Sequence, residues 1–151
     1  MIASFAAYPT RPTPIEEQIR AGKIELELVP QGTISERMRC AAAGLGGFYS
    51  PVGVGTRLAE GKEAREIDGR LYVFEKPLNG DVALLKADRA DRWGNLTYRK
   101  SARNFNPTMA MAAALSIVQV RELVALGALD PETVVTPGIF IDRVVQLGGK
   151  R

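Results

Sequence analysis

The chain has 151 residues, 46% hydrophobic and 25% charged, an ordinary globular composition that excludes a disordered or low-complexity class. Its net charge of +3 comes from 20 basic and 17 acidic residues spread along the sequence, without the one-sided basic block of a nucleic-acid footprint. Zero histidines and one cysteine exclude Ser-His-Asp and Cys-His machinery, an internal disulfide and a histidine-based zinc site, so no metal is expected.

In chain order, "MIASF" reads as a strand that starts without a lead-in. Thr13 followed by Pro14 marks a helix start, and the helix runs to a C-cap at Gly22. "KIELELV" (residues 23–29) alternates apolar and charged residues, the period of a half-buried strand. After "PQGT", Thr33 and Glu36 have capping-box spacing, which predicts a helix to about Ala43 that Gly44 ends. Residues 44–61 are glycine-dense and show neither period. They read either as a connector or as a loop whose bare backbone approaches a ligand.

"AREIDGRLYVFE" is a hairpin around Asp68 and Gly69. "DVALLKA" (residues 81–87) is a nearly continuous apolar run, read as a buried strand. A turn at Gly94 and Asn95 leads to a strand "LTYRK", and "PTMAMAAAL" (residues 107–115) starts a helix with proline in first position. "SIVQVREL" is a strand, "DPET" a turn, and "GIFIDRVVQL" a final strand or helix. Strands alternating with helices give an α/β class with mixed sheet character, and the length fits a single domain over residues 1–151. No run reaches the ~18 apolar residues of a membrane span. The N-terminus lacks the regions of a signal peptide, and one cysteine suits a reducing compartment, so a cytoplasmic location is expected.

Few residues stand out as chemical groups. Cys40 lies in an alanine-rich helical stretch and reads as a packing residue. "GLGGF" follows a helix rather than a strand, which is the wrong context for a dinucleotide loop. Glu36 reads as a cap, and Glu60 and Glu63 as solvated. Gln31, between Pro30 and Gly32, sits where a strand ends and a helix begins. Its amide can donate toward the crevice where open α/β sheets bind ligands, beside the positive helix end. It can equally be a turn glutamine bonded to nearby backbone, and both readings stand. "DRWGNLTYRKSARNF" interleaves cations with aromatics, as a single-stranded nucleic-acid surface does. Read at period two, Leu96 and Tyr98 share one face and Thr97 and Arg99 the other, which makes the aromatics packing and the cations a solvated or interface face.

The stretches "ELVPQGTISERMRCAAAGLGGFYSPVGVGT", "KEAREIDGRLYVFEKPLNGDVALLKADRADRWGNLTYRKSARNFNPTMAMAA" and "VVTPGIFIDRVVQ" resemble the A subunit of the family I 3-oxoacid CoA-transferases. The nearest group is the 3-oxoadipate:succinyl-CoA transferases. The resemblance implies the NagB/RpiA/CoA-transferase type of fold, a mixed sheet flanked by helices with hairpin additions. It implies CoA exchange between succinyl-CoA and a 3-oxo acid through a glutamyl-CoA thioester, with coenzyme A as substrate and no cofactor. The glutamate belongs to a B subunit, in a Ser-Glu-Asn-Gly motif absent here, so a hetero-oligomer without nucleic-acid or membrane partners is implied. Gln31 stands in the family's Pro-Gln-Gly motif, implicated in the oxyanion hole, and Ser50, Gly53 and Gly55 fall in a segment near the substrate. A-subunits of this family begin with a glycine-rich strand-loop-helix unit that nothing here matches, and "AAYPTRPTPIEEQ" diverges. The chain is therefore expected to be the C-terminal part of such a subunit. The alternatives are a subunit for acetoacetate or another short 3-oxo acid, a catalytically inactive fragment and, remotely, a nucleic-acid-binding module.

Overall fold

Three hydrogen-bonded sheets organise the chain in a computed structural model that describes residues 1–6 and 11–147. Residues 7–10 of the diverging segment lie outside the described residues. By contact, the chain divides into one unit of Met1–Cys40 with Leu45–Pro77, and a second of Ala41–Gly44 with the residues from 78 onward. No described helix is long and apolar enough to cross a membrane.

In the first unit, β1 (Ile2–Ala3) pairs in parallel with β2 (Glu27–Leu28), and α1 (Pro14–Arg20) lies between them in sequence. The expected helix start holds: Thr13 Oγ1 accepts from Glu16 N at 3.3 Å and Pro14 opens the helix. The expected strand over residues 23–29 shrinks to two residues, because its ladder partner β1 is itself two residues long. Helix α2 spans Gln31–Ala42. The capping box does not form. Ile34 N donates to the Pro30 carbonyl at 3.0 Å, so the helix starts directly behind a proline whose fixed φ suits helix entry. Thr33 is then inside the first turn and buried, and Glu36 pairs with Arg39 at 2.7 Å instead. The far end is as expected. Gly44, at φ +67, donates to Ala41 O while Leu45 donates to Cys40 O, both at 3.0 Å, a Schellman closure.

The glycine-dense stretch contains a strand that its composition hid. Strand β3 (Phe48–Ser50) pairs with β5 (Arg70–Glu75), which also pairs with β4 (Ala64–Ile67), giving the antiparallel order β3-β5-β4. Gly47 leads into β3 at φ +146, and a Cβ there would collide with the Phe74 ring and lie 2.8 Å from Glu75 O. Only glycine fits that approach. The β4–β5 hairpin turns at Asp68 (φ 50) and Gly69 (φ 76), both left-handed as a type I′ turn requires.

In the second unit, β6 (Gly80–Asp91), β7 (Leu96–Thr97), β8 (Ala113–Val124) and β9 (Arg143–Gln146) form one mixed sheet of order β7-β6-β8-β9. Strands β6, β8 and β9 run parallel, and β7 is antiparallel to β6. One sheet face builds the core from Ala83, Leu85, Ala87, Val118 and Val120, joined by Leu96 and by Ala110 of α3 (Asn106–Ala112). Each fully buried valine contributes roughly 1.5–3 kcal/mol. The "DVALLKA" run is buried on this face alone, because no described element seals the other, where Leu84 is 74% exposed.

Helix α3 stops at Ala112, earlier than the sequence pattern suggests, because Ala113 is already paired with Gly80 in the sheet. Ser116 closes the junction, its Oγ donating to Ala110 O at 2.9 Å. The final stretch resolves into a 3₁₀ turn at Gly138–Phe140 followed by β9. Asp142 sets its register: it accepts from Ser116 N at 2.7 Å and donates its own N–H to Ser116 O at 3.1 Å.

Candidate functional site

A cleft of about 400 Å³ opens where α2 begins against β3, lined by Pro30, Gly32, Thr33, Glu36, Ser50 and Val52 among others. Two sequence elements meet here, "PQG" at the helix start and "FYSP" at the strand end. The helix ladder begins at the Pro30 carbonyl, so the amides of Gln31, Gly32 and Thr33 have no partner within the helix and give that end a partial positive charge. Gln31 is the first residue of α2; its side chain is exposed and makes no hydrogen bond among the described residues. The alternative of a turn glutamine bonded to nearby backbone is therefore not realised. Gln31 lies between the cleft-lining Pro30 and Gly32 without lining the cleft itself, and its amide is free to donate outward.

The other expected site residues separate. Ser50 lines the cleft, buried, with Oγ accepting from Val52 N at 3.2 Å. Gly53 and Gly55 lie in the following turn at φ +85 and +76 and do not line the cleft. Gly53 also has a packing reason, since a Cβ there would meet Leu58 Cβ at 3.2 Å. The nearby carboxylates are structural. Glu63 accepts a hydrogen bond from the Tyr49 hydroxyl, and Glu75, buried, pairs with Lys62 at 2.6 Å. Glu27 pairs with Arg37 at 2.7 Å, and Arg37 Nε also donates to Lys76 O at 2.9 Å.

In the second unit, "DRWGNLTYRKSARNF" is held by Asp91, which sequence reading did not single out, and by Asn95 of the expected turn. Asp91 is buried, and its Oδ1 accepts from the N–H groups of Trp93 (2.9 Å) and Asn95 (3.0 Å). Asn95 Nδ2 donates to Asp91 Oδ2 at 2.8 Å, and its Oδ1 accepts from Gly138 N at 2.9 Å. Asn106 does similar work one loop later. Its Oδ1 accepts from Lys86 N at 3.0 Å, and its Nδ2 donates to Ala102 O and Arg103 O, each at 3.1 Å. The available signal was Asx residues beside turns, which bond local backbone.

The face assignment holds for Leu96, fully buried, and for Tyr98, whose hydroxyl shares a 2.8 Å hydrogen bond with Thr136. It fails for Trp93. That ring is 65% exposed because the Asp91-locked turn presents it outward, so it is not packing within the described residues.

Residues 1–147 match the family described as Coenzyme A transferase. A relative from Pseudomonas putida, the A subunit of a 3-oxoadipate CoA-transferase, is 63% identical over 134 residues, 89% of this chain and 58% of the relative. Another, from Xanthomonas campestris pv. campestris (strain B100), is the A subunit of a succinyl-CoA:3-ketoacid coenzyme A transferase. It is 55% identical over 86% of this chain and 54% of the relative. The chain thus spans somewhat more than half the length of these relatives. An acyl-CoA transferase structure from Escherichia coli O157:H7 (YdiF), a thioester complex with CoA, matches with a TM-score of 0.78 at 24% identity, over 87% of this chain and 31% of that one. The expected mixed α/β fold of the CoA-transferase type is the fold found.

Proposed function

The chain belongs to the coenzyme A transferase family, and from that premise we propose that it serves as the A-subunit component of a heteromeric 3-oxoacid CoA-transferase. The observation that carries the reading is the 63% identity to the Pseudomonas relative, which runs over 134 residues. The exposed amide of Gln31 at the start of α2 agrees with it.

In this reaction a carboxylate oxygen of the partner's glutamate attacks the thioester carbonyl of succinyl-CoA. Electrons shift onto the carbonyl oxygen and then collapse to expel the CoA thiolate, leaving an acyl-glutamyl anhydride. The thiolate attacks the glutamyl carbonyl and releases succinate, which gives the enzyme-CoA thioester. The acceptor acid then takes CoA by the same steps in reverse. The charge on the tetrahedral oxygen is what this chain's residues are suited to meet. The positive end of α2 is fixed before the reaction begins, and Gln31 Nε2 supplies a donor beside it. One such donor is typically worth about 2.7–4 kcal/mol.

The acid favoured is 3-oxoadipate, on the strength of the Pseudomonas relative; a shorter 3-oxo acid is the second reading, supported by the Xanthomonas relative at 55% identity. The test is thioester exchange between succinyl-CoA and each acid, assayed with and without a B subunit. Exchange should appear only with both chains, with a higher kcat/KM for 3-oxoadipate than for acetoacetate. Gln31→Ala should lower kcat by about 10²–10³-fold and leave folding stability within about 0.5 kcal/mol, as surface substitutions usually do. Unchanged turnover in that variant would remove Gln31 from the reaction.

A further inference from the structure

Two loops of the second unit carry large apolar side chains into solvent, and the bonds that shape the loops hold those side chains there. Trp93, the sole tryptophan, is 65% exposed, and Ile139, at 86%, is the most exposed large hydrophobic residue among those described. They stand on adjoining backbone. Gly138 comes so close to the Trp93 turn that a Cβ there would collide with the Trp93 carbonyl, and its N–H donates to Asn95 Oδ1 at 2.9 Å. A Cβ on Gly94 would meet Ile141 Cβ at 2.9 Å. Leu96 N donates to Thr136 O at 2.9 Å and ties the two loops at their base. Around the 3₁₀ turn, Phe140 and Ile141 pack against the core, which leaves Ile139 facing outward.

Neither side chain contributes to the chain's own core. Exposed apolar residues scattered singly need no explanation, but these two share a clamped pair of loops. The Asp91 and Asn95 hydrogen bonds fix the backbone under Trp93 in advance, which lowers the ordering cost of an interface. The charge borne outward beside them is cationic. Arg92 and Arg143 are exposed and have no ion pair or side-chain hydrogen bond among the described residues. The neighbouring carboxylates are turned onto backbone: Asp91 accepts from the Trp93 and Asn95 amides, and Asp142 from Ser116 N. Two copies meeting about a two-fold axis here would bring their arginines together, at a cost in like charge. The complement is therefore a different chain, with an apolar socket and a carboxylate rim. Tryptophan and arginine are among the types most enriched at the energetic centres of such interfaces.

We propose that Trp93 and Ile139 are the central anchor of the surface on which a chain of different sequence seats. They insert into its apolar socket, and Arg92 and Arg143 meet the carboxylates of the rim. The identity of that chain rests on the transferase reading above, under which it is the B subunit that brings the nucleophilic glutamate. The surface lies wholly within the second unit, and no bond is made or broken at it.

The test is the affinity of the full chain for the B subunit of the Pseudomonas enzyme, by biolayer interferometry, with sedimentation velocity of each chain alone. Trp93→Ser should weaken the complex at least about 30-fold and Ile139→Ser at least about tenfold, as loss of a central anchor does. Arg92→Glu should slow association and flatten its salt dependence. Leu84→Ser, on the exposed sheet face of the same unit, should bind as the wild type does. Thermal unfolding of each variant alone should match the wild-type chain, since all four side chains are exposed. A loss in Leu84→Ser as large as that in Trp93→Ser overturns the proposal. So does self-association of the chain alone that Trp93→Ser abolishes, which would make a second copy the occupant. Wild-type affinity in Trp93→Ser, with thioester exchange intact, overturns the surface and leaves the transferase reading standing. A wild-type chain that binds no B subunit overturns both.

Discussion

Asn106→Ala should uncouple local order from global stability. The amide makes three hydrogen bonds, to Lys86 N at 3.0 Å and to Ala102 O and Arg103 O at 3.1 Å. At about 0.5–1.5 kcal/mol net for each, the upper sum is roughly 4.5 kcal/mol. Ala102 and Arg103 are exposed, so water reclaims their carbonyls and the loss falls to about 2 kcal/mol. Lys100 (φ 54) and Asn104 (φ 39) are held at strained positive φ, and because the loop stays tethered at both ends, relaxation recovers only a fraction of that strain, up to about 1 kcal/mol. We therefore expect a global loss of only about 1–2 kcal/mol, or roughly 2–8 °C in Tm for a chain of this size. The loop itself should respond far more strongly. Amide exchange at residues 100–105 should accelerate by an order of magnitude or more, about 1.4 kcal/mol of local opening per tenfold, while exchange in β8 follows the small global change. Urea unfolding and site-resolved hydrogen exchange measure the two quantities. Unchanged loop exchange, or a global loss above about 4 kcal/mol, would refute the view that Asn106 acts as a local clamp on strained backbone.

Two further outcomes follow from the packing. Gly47→Ala must displace the Phe74 ring and the β5 backbone at Glu75 O, 2.8 Å from the new Cβ. A cost of about 1–3 kcal/mol in chemical denaturation is expected, and a stability equal to wild type would show that β3 can shift freely. Tyr98 has its phenol raised above the ordinary 10.0, first by burial, with the Thr136 hydrogen bond and Arg103 pulling the other way. A raised folded-state value means this contribution is fully present below pH 10.0 and is lost as pH rises through the folded value. The phenolate absorbance lost on Tyr98→Phe should thus belong to a late-titrating tyrosine, and an ordinary titration there would contradict the burial.

Legibility in the sequence followed locality. The β4–β5 hairpin could be read because Asp68 and Gly69 carry the turn's backbone requirement themselves. The closure of α2 at Gly44 could be read for the same reason. The start of α2 was misread because Thr33 and Glu36 satisfy a local pattern, while Pro30 had already opened the helix three residues earlier. Strand β3 was hidden because its pairing to β5 is with residues more than twenty positions away, and its flanking glycines suggested a loop. Of the candidate site, Gln31 and Ser50 were visible through a motif and a helix boundary. Outside that site, the groove lined by Lys86, Asp88, Arg99, Lys100 and Arg121 was not visible, since it needs β6, β8 and the loop after β7 to converge, and no single window of sequence contains that arrangement. Trp93 was misassigned because periodicity cannot show that Asp91 turns the backbone so as to present the ring outward.

Cys40 is the sole thiol of the chain, 1% exposed, with Sγ directed to Leu45 O at 3.4 Å inside the closing turn of α2. An alkylating reagent can reach it only when that turn opens. Each molecule can therefore record one opening as one mass increment, with no second thiol to confuse the count. When closing outpaces labelling, the rate reads the free energy of that opening directly; when labelling outpaces closing, it reads the opening rate. The protein thus carries its own clock for the helix that begins at Gln31.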